Sequence, residues 1–379
     1  MRILYGMAGE GNGHATRSKT VIDHLQRGGH RVLVAASKQA YEYFRKHPAF
    51  GGTDSPRYPI VEIRGYEIRY QGDGMDLPGT IGLNLATMPT RLQDNWAAAK
   101  RIDHFKPQAV ITDLEPFAYY YAKMNGLPLI SIDNHQAMPR CVHPTKVIDT
   151  NPVGFGLIST FVSVLMPNCD HYIVTTFAPQ TISPAIRDTT TLVPPILREN
   201  ILQVADLSRR KQESPHVLVY QTTKGGAAQV FRTLQAVPQH FIVYGMKNSE
   251  EASSIQGNCL VKSFNEKEFI NDLATSHAIV SNGGYSLLSE AVALQKPVFS
   301  VPMKHHAEQI FNASYIHELG YGQNSPTFDV NSLTNFLRQS SRFAARLRSI
   351  PQHDNNARLY AILDRFFPPT RGISVEGRS

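Results

Sequence analysis

Residues 2–17 read RILYGMAGEGNGHATR, and this stretch decides the fold. Arg2 to Met7 is a mostly apolar run of strand length. Val21, Ile22 and Leu25 then fall on one face of a helix. Between the two lie Gly9, Gly11 and Gly13, with His14 directly after the last. Strand, glycine turn and helix in that order open an α/β domain, and the turn lies at the strand's carboxyl end, where such sheets bind ligands. Glycine lets the backbone approach a ligand closely, and the helix behind it offers unpaired N–H groups to an anion. A dinucleotide fingerprint would require glycine where His14 stands and an acid at the end of the second strand. That strand, read over 30–37, ends in Ser37 followed by Lys38. The pattern disfavours an NAD enzyme and leaves Gly11, Asn12, Gly13 and Arg17 as a phosphate or acceptor loop.

The same alternation runs along the chain. Further apolar, β-branched runs fall at 107–113, 127–133 and 170–176, then at 216–223, 240–246, 258–264, 277–282 and 296–302. Runs this apolar fit strands buried on both faces, as in parallel sheets covered by helices. Two blocks of strand–helix repeats predict two Rossmann-like domains facing a cleft. The first is expected over 1–194 and the second over 195–345, divided at Leu192-Val193-Pro194-Pro195-Ile196, where paired prolines stop helix and strand alike. A polar stretch, 208–214, leads into the second. An arginine-rich helix near 341–366 closes the chain, in a terminal segment 346–373 that can cross back to the first domain. The last six residues, SVEGRS (374–379), are set aside as a cloning remnant.

With 379 residues the chain exceeds one ordinary core. A net charge of +7 favours anionic partners such as nucleotides, phosphates or anionic lipid. The basic residues are dispersed, the longest run being Arg209-Arg210-Lys211, so nucleic acid is not expected. Cys141, Cys169 and Cys259 are scattered and match neither a disulfide ladder nor a zinc site, which fits a reducing cytoplasm. The chain starts at once with a strand, so no signal peptide is expected. The apolar heart of 151–169, from Gly154 to Met166, is shorter than the roughly 20 residues of a membrane span and reads as a core helix, with an interfacial helix the alternative.

Chemistry concentrates at the carboxyl ends of the strands. Thr222-Thr223-Lys224-Gly225-Gly226 suits an anion, although an ordinary β–α turn reads the same. Asn282-Gly283-Gly284-Tyr285-Ser286 opens a helix whose first turn can hold a diphosphate through Ser286 and free N–H groups. Glu290 lies one turn on and could accept two ribose hydroxyls, or simply face solvent. Glu308 and Gln309, near Asn312, pair a carboxylate with an amide, which suits a polyhydroxylated ligand. Phe264 could stack on a base or fill the core. His305 and His306 point about 100° apart on a helix, and no third metal ligand is evident.

In chain order Gly283-Gly284-Tyr285-Ser286…Glu290, Pro297…Pro302 and Glu308-Gln309…Asn312-Ala313 resemble the nucleotide-sugar-dependent glycosyltransferases of the GT-B fold. With GEGNGHATRS at the start, the chain is similar to the branch related to the lipid II N-acetylglucosaminyltransferase of peptidoglycan synthesis. The resemblance implies that Gly283, Gly284 and Ser286 hold the donor diphosphate, that Glu290 binds the ribose, and that Glu308 and Gln309 hold the sugar. It assigns 262–264 to the base, implies a UDP-linked donor, and closes 222–226 over the phosphates. It makes His14 the general base for the acceptor hydroxyl, oriented by Asp113, with Glu115 a rival base. The expected reaction is an inverting displacement. No apolar strand ends in Asp-x-Asp, so no metal or other cofactor is expected. The acceptor, a glycan, lipid or small molecule, is left to 57–95, a long aromatic and basic segment that could also dock on anionic membrane at the inner face. The rivals are a nucleotide-sugar 2-epimerase of the same fold and, more remotely, a non-enzymatic anion-binding protein.

Overall fold

The computed structural model describes residues 1–46, 59–67, 69–71, 74–208, 216–221, 227–246 and 253–370. The first sheet consists of β1 (Arg2–Met7), β2 (Arg31–Ala36), β3 (Ile60–Glu62), β4 (Ala109–Asp113), β5 (Leu129–Asp133), β6 (His171–Thr175) and β7 (Thr190–Val193). All pairs are parallel, in the order β7-β6-β5-β4-β1-β2-β3. The second sheet consists of β8 (His216–Tyr220), β9 (His240–Tyr244), β10 (Ser254–Gln256), β11 (Cys259–Val261), β12 (Ala278–Ser281), β13 (Val298–Ser300) and β14 (Gly322–Asn324). Its order is β10-β11-β9-β8-β12-β13-β14, with only the β10 edge antiparallel.

The helices include α1 (Asn12–Arg27), α2 (Leu77–Ala86), α3 (Pro116–Met124), α4 (Pro152–Leu165), α5 (Glu266–Thr275), α6 (Tyr285–Ala293), α7 (Ala307–Glu318), α8 (Val330–Arg348) and α9 (Ala357–Phe366). They cover both faces of each sheet. Along β1 the side chains alternate: Leu4 enters the core under α3 and α4, whereas Ile3, Tyr5 and Met7 enter the core under α1 and α9. Each such side chain contributes about 1.5–3 kcal/mol by leaving water. Strand order reverses between β1 and β4, and again between β8 and β12. At each reversal the adjacent loops diverge and leave a crevice at the carboxyl ends.

Several expectations are corrected. β3, β7, β10 and β14 were not foreseen. β3 (Ile60–Glu62) takes part of the 57–95 segment into the main sheet, and β7 uses Thr190–Val193, ending where Pro194 can no longer donate to the ladder. The closing helix is two helices, α8 and α9, interrupted around Pro351. The 154–166 helix is not a core helix. In α4, Ile158 and Val162 are buried, while Val153, Leu157 and Val164 face solvent. Among the described residues no helix is long and apolar enough to cross a membrane. α9 crosses back to the first sheet, placing Leu359, Leu363 and Phe367 in the core with Ile3, Tyr5 and Ile22. Asp364 fastens it to His24 at 2.8 Å.

Candidate active site

Two helices begin at the cleft, α1 from the first sheet and α6 from the second. Their N-caps are Gly11 and Gly284, neither with a capping side chain, and neither helix carries an acid in its first turn. Their starts meet closely, for a Cβ on Gly13 would stand 2.5 Å from Ser286 Oγ. Each terminus carries roughly half a positive charge and unpaired N–H groups. The Gly283 turn that starts α6 has φ 89°, and a Cβ there would lie 2.8 Å from the Gln309 carbonyl. Only glycine fits both constraints. Between these helix starts is a cavity of about 330 Å³, lined by Gly11, Gly13, His14, Asn282, Ser286 and Glu290 among others.

His14, in the first turn of α1, and Asp113, the last residue of β4, are both buried. His14 Nδ1 lies 2.9 Å from Asp113 Oδ1 and 2.8 Å from Arg17 Nη2. One nitrogen cannot satisfy both. Arg17 already donates to Asp113 through Nε at 2.8 Å and to Asn134 through Nη1. A bare Nδ1 would face the carboxylate lone pair to lone pair. The proton therefore belongs on Nδ1, donated to Asp113, and Nε2 keeps its lone pair. Burial, aided by Arg17, lowers the imidazole below its ordinary value, against the pull of Asp113. Burial works against ionising Asp113, but Arg17 and His14 hold its carboxyl well below the usual carboxylate range. Arg17, expected on a phosphate, is instead spent within this cluster because Asp113 and Asn134 use its donors.

Glu290 is buried on α6, and it is not solvated. Arg198 donates to it through Nε and Nη2 at 2.8 and 2.9 Å, and to Glu266 through Nη1 at 2.9 Å. Burial raises the Glu290 carboxyl and Arg198 opposes the rise. Glu308, at the start of α7, is held from the opposite sheet. His135 Nε2 lies 3.3 Å from its Oε2, and Asn134 donates to its Oε1 at 3.1 Å. Burial disfavours both charges, yet each partner offsets this: His135 is raised and Glu308 is lowered. The His135 ring also stacks parallel to His14, centroids 5.8 Å apart. Gln309 Oε1 accepts from the Met303 N–H at 2.9 Å. Phe264 is 43% exposed at the cavity rim, so it is not a core aromatic.

Not every expected residue reaches the cleft. Asn312 sits behind it, donating to the Gly283 carbonyl at 3.1 Å and so bracing the turn. Glu115 caps α3, accepting from the Phe117 N–H at 3.0 Å. It is buried among Gly6, Gly65 and Ser37, where burial pushes its carboxyl up to about 7. His306 caps α7. Thr222, Thr223, Lys224 and Gly225 lie outside the described residues. Arg198, Asn134 and His135 were missed. Asn134 and His135 directly follow β5, so the strand-end rule pointed to them. Arg198 carries no signal beyond the proline pair before it.

A family model described as glycosyl transferase family 1 matches residues 1–340. The chain belongs to this family. It is a GT-B glycosyltransferase, and of the two activities left open by the sequence, transfer is the family's. A Methanosarcina mazei protein named as an uncharacterized glycosyltransferase is 25% identical over 339 residues, 85% of each chain. In fold, the glycosyltransferase resembles a Streptomyces glycosyltransferase complexed with thymidine diphosphate, with TM-score 0.60, 18% identity, and 96% and 99% of the two chains covered. It also resembles Acinetobacter baumannii MurG, with TM-score 0.57, 13% identity, and 96% and 100% covered.

Proposed function

We propose that this glycosyltransferase moves a sugar from a UDP-linked donor to an acceptor hydroxyl with inversion at the anomeric carbon, and that it needs no metal. The observation that carries the reading is the meeting of two uncapped helix N-termini, those of α1 and α6, over one cavity. Such an arrangement stabilises the charge that builds on a leaving diphosphate. The diphosphate sits on Gly284, Ser286 and the start of α1. Glu290 takes the ribose hydroxyls, Phe264 stacks on the base, and Glu308 with Gln309 holds the sugar. The thymidine diphosphate in the Streptomyces neighbour supports a nucleoside diphosphate as the leaving group.

His14 Nε2 takes the acceptor hydroxyl proton as the acceptor oxygen bonds to the anomeric carbon. The bond to the diphosphate oxygen breaks at the same time, and the diphosphate leaves with that electron pair. Asp113 fixes the tautomer and steadies the imidazolium. Glu115, closed away beneath the cleft, is the weaker base candidate. The acceptor is a glycan, lipid or small molecule presented by the first domain. The exposed Leu85, Met88 and Trp96, close to Arg91 and Lys100, suit contact with an anionic membrane at its cytoplasmic face.

The test is a thermal-shift and calorimetric panel of nucleotides and nucleotide sugars on wild type and Glu290→Ala. UDP or one UDP-sugar should raise the wild-type midpoint, since a ligand bound only by the folded form stabilises it. The variant should lose most of that shift. Binding by NAD alone, or by no nucleotide, would overturn the reading.

A further inference from the structure

We propose that Arg198 is a positioning residue for donor recognition, setting the Glu290 carboxylate so that it discriminates a ribose from a deoxyribose. The inference rests on Glu290 being the ribose acid. A glutamate's terminal torsion is broad and loosely set by its own rotamer. Here it is fixed from outside. Arg198 closes a two-point fork on Glu290, with Nε on Oε1 at 2.8 Å and Nη2 on Oε2 at 2.9 Å. A fork fixes both position and plane. It uses one lone pair on each oxygen, and a carboxylate offers about four such sites, so acceptors remain for two hydroxyls.

The same guanidinium holds Glu266 at 2.9 Å. Glu266 begins α5, two residues after Phe264, and all four residues line the one cavity. Arg198 thus sets the distance between the ribose acid and the aromatic ring at the cavity rim. Its own backbone is fixed as well. Asn356 clamps the preceding residue at both ends, accepting from the Leu197 N–H at 3.1 Å and donating to the Leu197 carbonyl at 2.9 Å. His353 donates to the Pro195 carbonyl at 2.6 Å. The segment returning to the first domain therefore buttresses the segment leaving it, and Arg198 delivers that rigidity to Glu290.

The experiment is calorimetric titration of UDP and 2′-deoxy-UDP into wild type, Glu290→Gln, Arg198→Gln and Arg198→Lys. Wild type should prefer UDP by about ten- to a hundredfold, the size of one hydrogen bond to a charged group. Both Arg198 variants should bring that preference within about threefold, because glutamine lacks the charge and lysine lacks the fork. If Arg198→Gln does not fold, Arg198→Lys carries the test. Folded Arg198 variants that keep the wild-type preference while Glu290→Gln loses it would overturn the inference alone, leaving Arg198 as a structural joint. Wild type without a preference, or Glu290→Gln with it intact, would overturn the ribose assignment and the inference with it.

Discussion

His14 and Glu115 are both bases on paper, and their surroundings separate them. His14 opens onto the cleft with Nε2 unprotonated, and burial has lowered its ordinary value of 6.5. If it is the base, the acid limb of the kcat/KM profile falls below about pH 6.5, and His14→Asn lowers kcat by about 10²–10⁴ while UDP affinity stays within about threefold. A limb near 7 that disappears in Glu115→Gln would assign the proton to Glu115 instead. Glu115 makes a second prediction. Its ordinary value is 4.5 and its folded value about 7, so between them the folded chain holds a proton that the unfolded chain has released. Its stabilising contribution is full below 4.5 and is lost as pH rises through 7. Glu115→Gln, which keeps an oxygen for the Phe117 N–H, should gain on the order of 1–3 kcal/mol over wild type near pH 8 and nothing near pH 4. Urea denaturation at the two pH values checks it. An equal gain at both would mean that packing, not charge, separates the variants.

At the level of elements, the start of α6 carries the heaviest constraint. Gly283→Ala would force a Cβ into a left-handed backbone and against the Gln309 carbonyl. A cost of about 1–3 kcal/mol is expected, together with weaker nucleoside diphosphate binding as the turn shifts. Denaturation and calorimetry on one preparation measure both, and unchanged binding would remove the turn from the donor site. This turn was legible because chain direction decides it. A parallel strand must deliver its carboxyl end to the crevice, so chain direction alone puts Asn282 to Ser286, His14 and Asp113 there. Within the two seven-stranded sheets the strands not foreseen are β3, β7, β10 and β14, which are the four edges and only three or four residues long. An edge strand is paired on one side and needs little apolar sequence, and Gly322-Gln323-Asn324 has no periodicity to read. Arg198 was illegible for another reason. Its role depends on how the preceding residue, Leu197, is held by Asn356, 159 residues farther along the chain. Asn312 was misread because a polar residue near a cleft looks the same from sequence whether it faces the ligand or braces the turn.

The whole molecule is two sheets joined by a linker, a returning helix and a few polar contacts across the cleft. Thr175 meets Tyr285 at 3.0 Å, and His143 meets Tyr315 at 2.7 Å. The first lies at the start of α6, beside the cavity, and the second near the far end of α7. The contact that titrates is His135 with Glu308, because it joins a raised histidine to a lowered carboxyl. A histidine raised on folding contributes fully below its ordinary 6.5, and that contribution is lost as pH rises through the folded value. Glu308 stays charged throughout that range, so the loss comes from deprotonation of His135. The nucleotide-free enzyme should therefore be most closed in mildly acidic buffer and open as His135 deprotonates. Small-angle scattering should show a radius of gyration that grows as the pH is raised above 6.5. Glu308→Gln should be more open at the lower pH and should lose the dependence, because a neutral amide cannot hold an imidazolium by charge. A donor whose sugar takes over Glu308 should lose it too, since its hydroxyls replace His135 and do not titrate. A radius that stays constant in wild type, or a variant that retains the wild-type pH response, would show that the linker and the crossing helix, not this ion pair, set how far the domains stand apart.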